Sequence, residues 1–232
     1  MDRSPSTTSL EVPSLVDALH DALRERILIG DLAGGDPLAE AEIASHYSVA
    51  RPTAKSALER LVSEGLLRRS SNKTARVPIL TAEDIYDLYR TRLFLEREVV
   101  TVLANRAQVP PAAREALAAL RATAAEKEPP LAKVVSLDID FHTALVESIG
   151  SLRLSRLYRS LMGEVRLCMA QVQANHLRTP EPIADGHAAL LDLIERGDVE
   201  ATQEELTAHL QRACRHLMHH LQPDGKVLSF DL

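Results

Sequence analysis

Between Leu38 and Val77 the apolar positions follow a helical period twice and then turn to short extended runs. From about Leu38 to His46, Leu38, Ile43 and Ala44 mark one inward helical face, and Tyr47, Ser48 and Val49 leave room only for a tight turn. From about Arg51 to Glu64, Ala54, Ala57, Leu58, Leu61 and Val62 repeat at three- and four-residue spacing, while Arg51 and Lys55 fall on another face. Gly65 ends that helix. Leu67 to Ser70 and Ala75 to Val77 then read as two short strands around Ser71, Asn72, Lys73 and Thr74. Two helices across a tight turn, followed by a hairpin, predict a winged helix-turn-helix whose second helix meets base edges from its N-terminal end.

Beyond Pro78 the pattern is helical almost throughout, over about 150 residues, enough for a second domain with its own core. Breaks at Pro110-Pro111, Pro129-Pro130, Gly150, Pro180 to Pro182 and Gly197 divide it into about six helices. They run from Ala82 to Gln108, Pro111 to Lys127, Leu131 to Ile149, Leu152 to His176, Ile183 to Arg196 and Val199 to Leu221. The expected fold class is therefore mainly α: an N-terminal winged helix-turn-helix followed by an all-α antiparallel bundle. The expected boundaries are a tail over residues 1–10, a DNA-binding domain over 11–78, a linker over 79–81, a helical ligand-binding domain over 82–222 and a tail over 223–232. Thr81-Ala82-Glu83-Asp84 has the character of a helix N-terminus with acids in its first turn.

Charge changes the picture locally. The chain carries a net charge of −6, which by itself argues against a polyanion partner. Between His46 and Arg76, however, seven cations (Arg51, Lys55, Arg60, Arg68, Arg69, Lys73, Arg76) face only two anions, Glu59 and Glu64. The basic patch coincides with the helix-turn-helix, where phosphate neutralisation requires it. After Pro78 the balance reverses, with 22 acidic and 17 basic residues.

Leu23-Arg24 through Gly30, Gly35 to Glu40, Glu42-Ile43-Ala44, Val49-Ala50-Arg51, Lys55, Ala57-Leu58, Leu61 and Glu64-Gly65-Leu66 together resemble the N-terminal domain of GntR-type transcription regulators. The resemblance covers about the first eighty residues. It implies that Arg24, Arg51 and Lys55 contact operator DNA, Arg51 and Lys55 in the major groove and Arg24 at the backbone. The wing, with Arg68, Arg69, Lys73 and Arg76, would lie near the minor groove or the flanking phosphates. Two positions depart from the family pattern: Ala50 stands where a Ser is usual, and Ser71-Asn72-Lys73 where the wing tip usually has glycine. Losing a Ser N-cap costs about 1 kcal/mol, which Ser48 or the fixed φ of Pro52 would partly offset. Asn72 is the non-glycine residue best suited to a positive φ.

Within the bundle one constellation carries chemistry. Asp138 and His142 are four residues apart and project from one helical face. His187 and His209 lie equally far from the break at Gly197-Asp198, so antiparallel neighbouring helices would bring them to one level. Three imidazoles and a carboxylate at one depth suit a divalent metal. Asp140 is the nearest rival to Asp138 but points to another face.

Asp138-x-x-Phe141-His142-x-x-Leu145, His187 and His209 resemble the FCD effector domain of the FadR subfamily. That resemblance implies a metal held by Asp138, His142, His187 and His209 at the floor of a ligand cavity, its coordination completed by a bound carboxylate. Zinc is the expected ion, with nickel and manganese as alternatives. Arg92 and Glu96 match a further signature of that domain. They read either as a surface i,i+4 ion pair or as an Arg92 that reaches into the cavity and binds the effector's carboxylate.

Other signals are exclusions. Met1 to Leu10, rich in Ser and Thr, lacks the apolar core of a signal peptide, and no run of about twenty apolar residues could span a membrane. Cys168 and Cys214 lack a C-x-x-C pairing and read as buried apolar residues of a reducing, cytoplasmic compartment. There is no phosphate-binding glycine loop, no G-x-S-x-G and no H-E-x-x-H. The expectation is a ligand-responsive transcription regulator, not an enzyme, that binds a short palindromic operator as a homodimer and takes a small carboxylate effector on its metal. A direct metal sensor is the alternative. A metal-dependent hydrolase is a third reading, and it lacks an evident general base, since Asp140 is the only nearby acid.

Overall fold

A computed structural model describes residues 14–70, 73–173 and 180–221. The Ser71-Asn72 wing tip, the two expected tails and the helical end expected at His176 lie outside the described residues. Helix α1 (Leu15–Leu28) starts at a capping box in which the Ser14 side chain accepts from the Asp17 amide and Asp17 accepts from the Ser14 amide. Its buried stripe, Leu19, Leu23 and Ile27, packs on the Ala54, Ala57, Leu58 and Leu61 face of α3 (Arg51–Ser63). Buried His20 ties the two helices together, with Nε2 2.8 Å from Glu64 at the C-terminal cap of α3 and Nδ1 2.8 Å from Asp21. Between them α2 (Glu40–His46) meets α3 across a turn in which Ser48 has φ 53°. Ala50 caps α3 without a side-chain bond, and Pro52 in the first turn supplies what pre-organisation there is.

The winged domain departs from the expectation at its strands. Leu38 was expected to open α2; instead Pro37–Leu38 forms β1, antiparallel to β2 (Ala75–Arg76), with Leu38 opposite Ala75. The helix starts two residues later, at Glu40. The expected strand Leu67 to Ser70 shrinks to one bridge, in which Arg68 and Arg76 exchange amide bonds of 2.8 and 2.9 Å. β2 can satisfy only one neighbour on each side, and the partner that buries Leu38 and Ala75 together is β1.

The bundle comprises α4 (Ala82–Asn105), α5 (Pro111–Ala124), α6 (Leu131–Glu147), α7 (Leu152–Gln173), α8 (Glu181–Arg196) and α9 (Val199–Leu221). Each runs close to its expected span. Thr81 and Asp84 form a second capping box at the start of α4, whose buried stripe contacts α6, α7, α8 and α9. Gly197, at φ 72°, closes α8 in the left-handed conformation that a glycine adopts without cost, and Asp198 accepts from the Ala201 amide at the start of α9. This tight connection makes α8 and α9 the packed neighbours that the position of the break predicted.

The two domains meet along α7. Ser160 Oγ donates to the Ser63 carbonyl (3.1 Å), Gln171 Nε2 to the Pro78 carbonyl (2.7 Å), and Arg68 pairs with Glu164 (3.0 Å). At Gly163 the approach is so close that a Cβ would stand 1.7 Å from the Glu64 carbonyl oxygen. Only glycine fits there.

Candidate metal centre and nucleic-acid interface

Asp138 and His142 on α6, His187 on α8 and His209 on α9 converge at one level of the bundle, each buried, with one ligand atom apiece all within 4.8 Å of one another. His142 Nε2 and His209 Nε2 are 3.3 Å apart, and His187 Nε2 is 3.2 Å from Asp138 Oδ1. Metal–nitrogen bonds of about 2.0–2.1 Å in a tetrahedron would set neighbouring ligands about 3.3–3.4 Å apart, so these separations fit a shared cation. Among the described residues His187 Nδ1 has no hydrogen-bond partner and Nε2 has only this approach to Asp138, although both are buried. A buried imidazole in that condition fits a ligand better than a structural group.

Electrostatics favour the same donor state. Burial, reinforced by the neighbouring imidazoles, holds His209 well below the usual histidine range; burial also lowers His187, against the pull of Asp138. Both rings are neutral, as ligation requires. Burial would raise the Asp138 carboxyl, but its contact with His187 and the charges around it outweigh burial and keep it ionised.

The ring planes are fixed from outside the cluster. Phe141 stacks on His187 with centroids 3.8 Å apart and planes 8° from parallel. His142 Nδ1 lies 2.7 Å from Glu96 Oε2. A carboxylate only accepts, so Nδ1 carries the proton and Nε2 turns its lone pair to the cluster. Gly186 lies beside the ring of His209, where a Cβ would stand 2.9 Å from Nδ1. The glycine weakens α8 by about 0.5–1 kcal/mol relative to alanine, and gives His209 room to reach the centre.

The surface ion-pair reading of Arg92 and Glu96 is overturned. Both are essentially inaccessible, at 1% and 0% exposure. Arg92 Nε donates to Glu96 Oε1 (3.0 Å), its guanidinium lies 4.9 Å from the centroid of the Tyr89 ring, and among the described residues Nη2 has no hydrogen-bond partner. Arg92 lines a cavity of about 70 Å³ together with Asp138 and His209. One water needs about 10–15 Å³ by this measure, so there is room for a small organic molecule.

Glu96 corrects a second expectation, that Asp140 is the only acid near the site. It accepts from Arg92, from His142 and from Tyr158 Oη (2.6 Å), and the charge of Arg92 with the hydrogen bonds from His142 and Tyr158 outweighs burial to hold its carboxyl well below the usual range. All its oxygens are thereby occupied in positioning other groups. Asp140 faces the opposite side, lining a shallow groove with Pro110 and Pro111. The signal for Glu96 was present in the sequence: Tyr89, Arg92, Leu93, Glu96 and Val100 share one helical stripe, and charges within an apolar stripe are buried with it. Tyr158 had no such signal, because its partner is 62 residues away.

The expected DNA-contacting cations differ in how far they are engaged within the protein: Arg68, Arg69, Lys73 and Arg76 line one cleft, and Arg51 and Arg69 both approach Glu40. Arg51 and Lys55 stand out from α3 with side chains 71% and 55% exposed, and Lys73 is exposed beside the wing. Among the described residues Arg51 and Lys55 make only long ion pairs, with Glu40 (3.8 Å) and Glu59 (3.7 Å), whereas three of the others are held more closely. Arg69 bonds Glu40 (3.3 Å), Arg76 bonds the Gly35 carbonyl (2.8 Å), and Arg68 reaches Glu164 and Asp84 of the bundle. Arg24 is also set apart from Arg51 and Lys55: it lies 3.9 Å from Glu64, and its charge is felt by Asp140 and Arg166 of the bundle. A cation spent on an ion pair in the domain interface has less to offer phosphate.

Residues 15–77 match the gntR family of bacterial regulatory proteins, and residues 87–212 match the FCD domain. The chain is 24% identical to an uncharacterized HTH-type transcriptional regulator, YdhC, of Bacillus subtilis, over 89% of this chain and 92% of that one. It is 25% identical to a putative L-lactate dehydrogenase operon regulatory protein of Escherichia coli, over 84% of this chain and 83% of that one. A solved structure of a putative GntR transcriptional regulator from Rhodococcus sp. RHA1 superposes with a TM-score of 0.73 at 27% identity, covering 88% of this chain and 97% of that one.

Proposed function

The chain belongs to the GntR family of bacterial regulatory proteins, as a DNA-binding transcription regulator with an FCD domain, and from that premise we propose that its operator affinity is set by a small organic acid bound on a divalent metal. The observation that carries this reading is the shared cavity: Asp138 and His209 of the metal cluster line the same space as buried Arg92, whose Nη2 has no hydrogen-bond partner among the described residues. Asp138, His142, His187 and His209 would hold the ion, which would supply Lewis acidity to a carboxylate oxygen by expanding its coordination beyond these four ligands. Arg92 binds the same carboxylate through its planar fork. The Escherichia coli relative, a putative L-lactate dehydrogenase operon regulatory protein, agrees with an acid of this kind.

Helix α7 provides the physical route from cavity to DNA. Tyr158 reaches Glu96 behind the metal centre, Met169 lines the cavity, and Ser160, Gly163 and Glu164 bear on the end of α3. An acid that draws the cavity walls together would tilt α7 and shift α3 with it, acting through its different affinity for the two arrangements. A palindromic operator implies two copies of the chain related by a two-fold axis. Arg51 and Lys55, at the exposed N-terminal end of α3, are the base and phosphate contacts of the major groove.

The acid is tested by thermal stability against a panel of small carboxylic acids, with metal-loaded and with chelated protein. A shift of several degrees that disappears on chelation supports the reading. Stabilisation by metal alone, with loss of operator binding on chelation and no response to any acid, would instead make the ion the signal. The DNA contact is tested by Arg51→Ala, which should weaken operator binding about 5- to 150-fold and relax preference at one base position, leaving the melting temperature unchanged. Equal loss on unrelated DNA would reduce Arg51 to a phosphate contact.

A further inference from the structure

The cavity has a second guanidinium that carboxylate capture at the metal does not use. On α9, His209, Arg212, Ala213 and Leu217 share one face and form one wall of it, so Arg212 stands one turn beyond a metal-site histidine. Its Nη2 and the His209 ring both lie within 4 Å of one point, the position a Cβ would take on Gly186. The remaining walls include apolar Val134, Val135, Met169 and Ile183. Arg92 enters from α4, where Glu96 holds its Nε. Arg212 is held by Glu205 through Nη2 alone (2.9 Å), and among the described residues no hydrogen bond is found for its Nε or Nη1. Its side chain is 39% exposed, so these donors face solvent at the edge of an apolar wall, where an acceptor that comes with the ligand can take them from water.

Resting on the reading of this cavity as the effector pocket, we propose that Arg212 binds a second carboxylate, so that the effector is a short dicarboxylate. One end is taken by the metal and Arg92; the other by Arg212; the apolar walls between them accommodate a few methylene groups. The arrangement discriminates because a monocarboxylate would leave the guanidinium of Arg212 facing an apolar chain, whereas a dicarboxylate offers it a charge-assisted, bidentate partner.

The test is calorimetric titration of the zinc-loaded full chain with length-matched pairs: malonate and propionate, succinate and butyrate, glutarate and valerate. The expected result is a preference of about 10- to 100-fold for the dicarboxylate of at least one pair, collapsing to within about threefold in Arg212→Gln and partly retained in Arg212→Lys. An undiminished preference in Arg212→Gln, or monocarboxylates binding as tightly as their dicarboxylate partners in the wild type, would overturn the assignment. Absence of binding by every acid would remove the effector-pocket reading itself, and the assignment with it.

Discussion

Replacing Glu96 by alanine is expected to destabilise the bundle by about 3–5 kcal/mol and to weaken metal binding about 10- to 100-fold, two effects that come from the same carboxylate. Among the described residues Glu96 accepts from buried Arg92, and it also receives Tyr158 Oη and His142 Nδ1. Without it a guanidinium remains in an apolar interior with its charge uncompensated, which costs far more than the ion pair contributes. The imidazole of His142 loses the acceptor that fixes its tautomer, so its Nε2 lone pair no longer points permanently at the cluster. Urea denaturation of apo-protein measures the first effect, and zinc titration of the folded variant the second. Apo-protein variants separate the two causes. Arg92→Met/Glu96→Met, which removes both charges and conserves volume, should recover most of the lost stability but none of the metal affinity. If the double variant is as unstable as Glu96→Ala, the uncompensated charge is not the origin of the loss.

Gly163→Ala is expected to uncouple the two domains without unfolding either. In isolation the change should favour α7, since alanine is the better helix former by about 0.5–1 kcal/mol. In the folded chain the new methyl would collide with the Glu64 carbonyl, a backbone group that cannot rotate away. The end of α3 must therefore lift from α7, taking with it the Ser160 bond to Ser63 and the Arg68 to Glu164 pair. Zinc affinity should be unchanged, cleavage in the 79–81 linker by added protease should accelerate, and any effect of an acid on operator affinity should fall from the about 5- to 150-fold usual for allosteric coupling to near unity. Arg68→Ala, which removes only an exposed ion pair, should leave most of the coupling in place. Full coupling in Gly163→Ala would show that the route does not pass through this contact.

These two residues also mark the boundary between local and tertiary information. Sequence alone determined the mainly α fold, the order of the helices and the winged domain, because each helix announces itself through an apolar stripe and a local stop: Gly65 after α3, Gly197 after α8, Pro110-Pro111 before α5. It also brought Asp138, His142, His187 and His209 to one level, since i,i+4 spacing and a tight turn with its break at Gly197 are local facts with three-dimensional consequences. The burial of the Arg92 and Glu96 pair was legible in the stripe they share with Leu93 and Val100. What only the tertiary structure decided is which long-range partner each side chain meets. Leu38 joins a strand because Ala75 lies across from it, and Tyr158 becomes part of the metal surroundings because α7 crosses α4 at Glu96. Arg68 leaves the candidate DNA surface for Glu164, 96 residues away, and Gly163 is required by a carbonyl of the other domain. Helical periodicity says which face turns inward but not what waits there; that depends on the packing of elements distant in the chain, where burial and pairing, rather than local propensity, set the free energy.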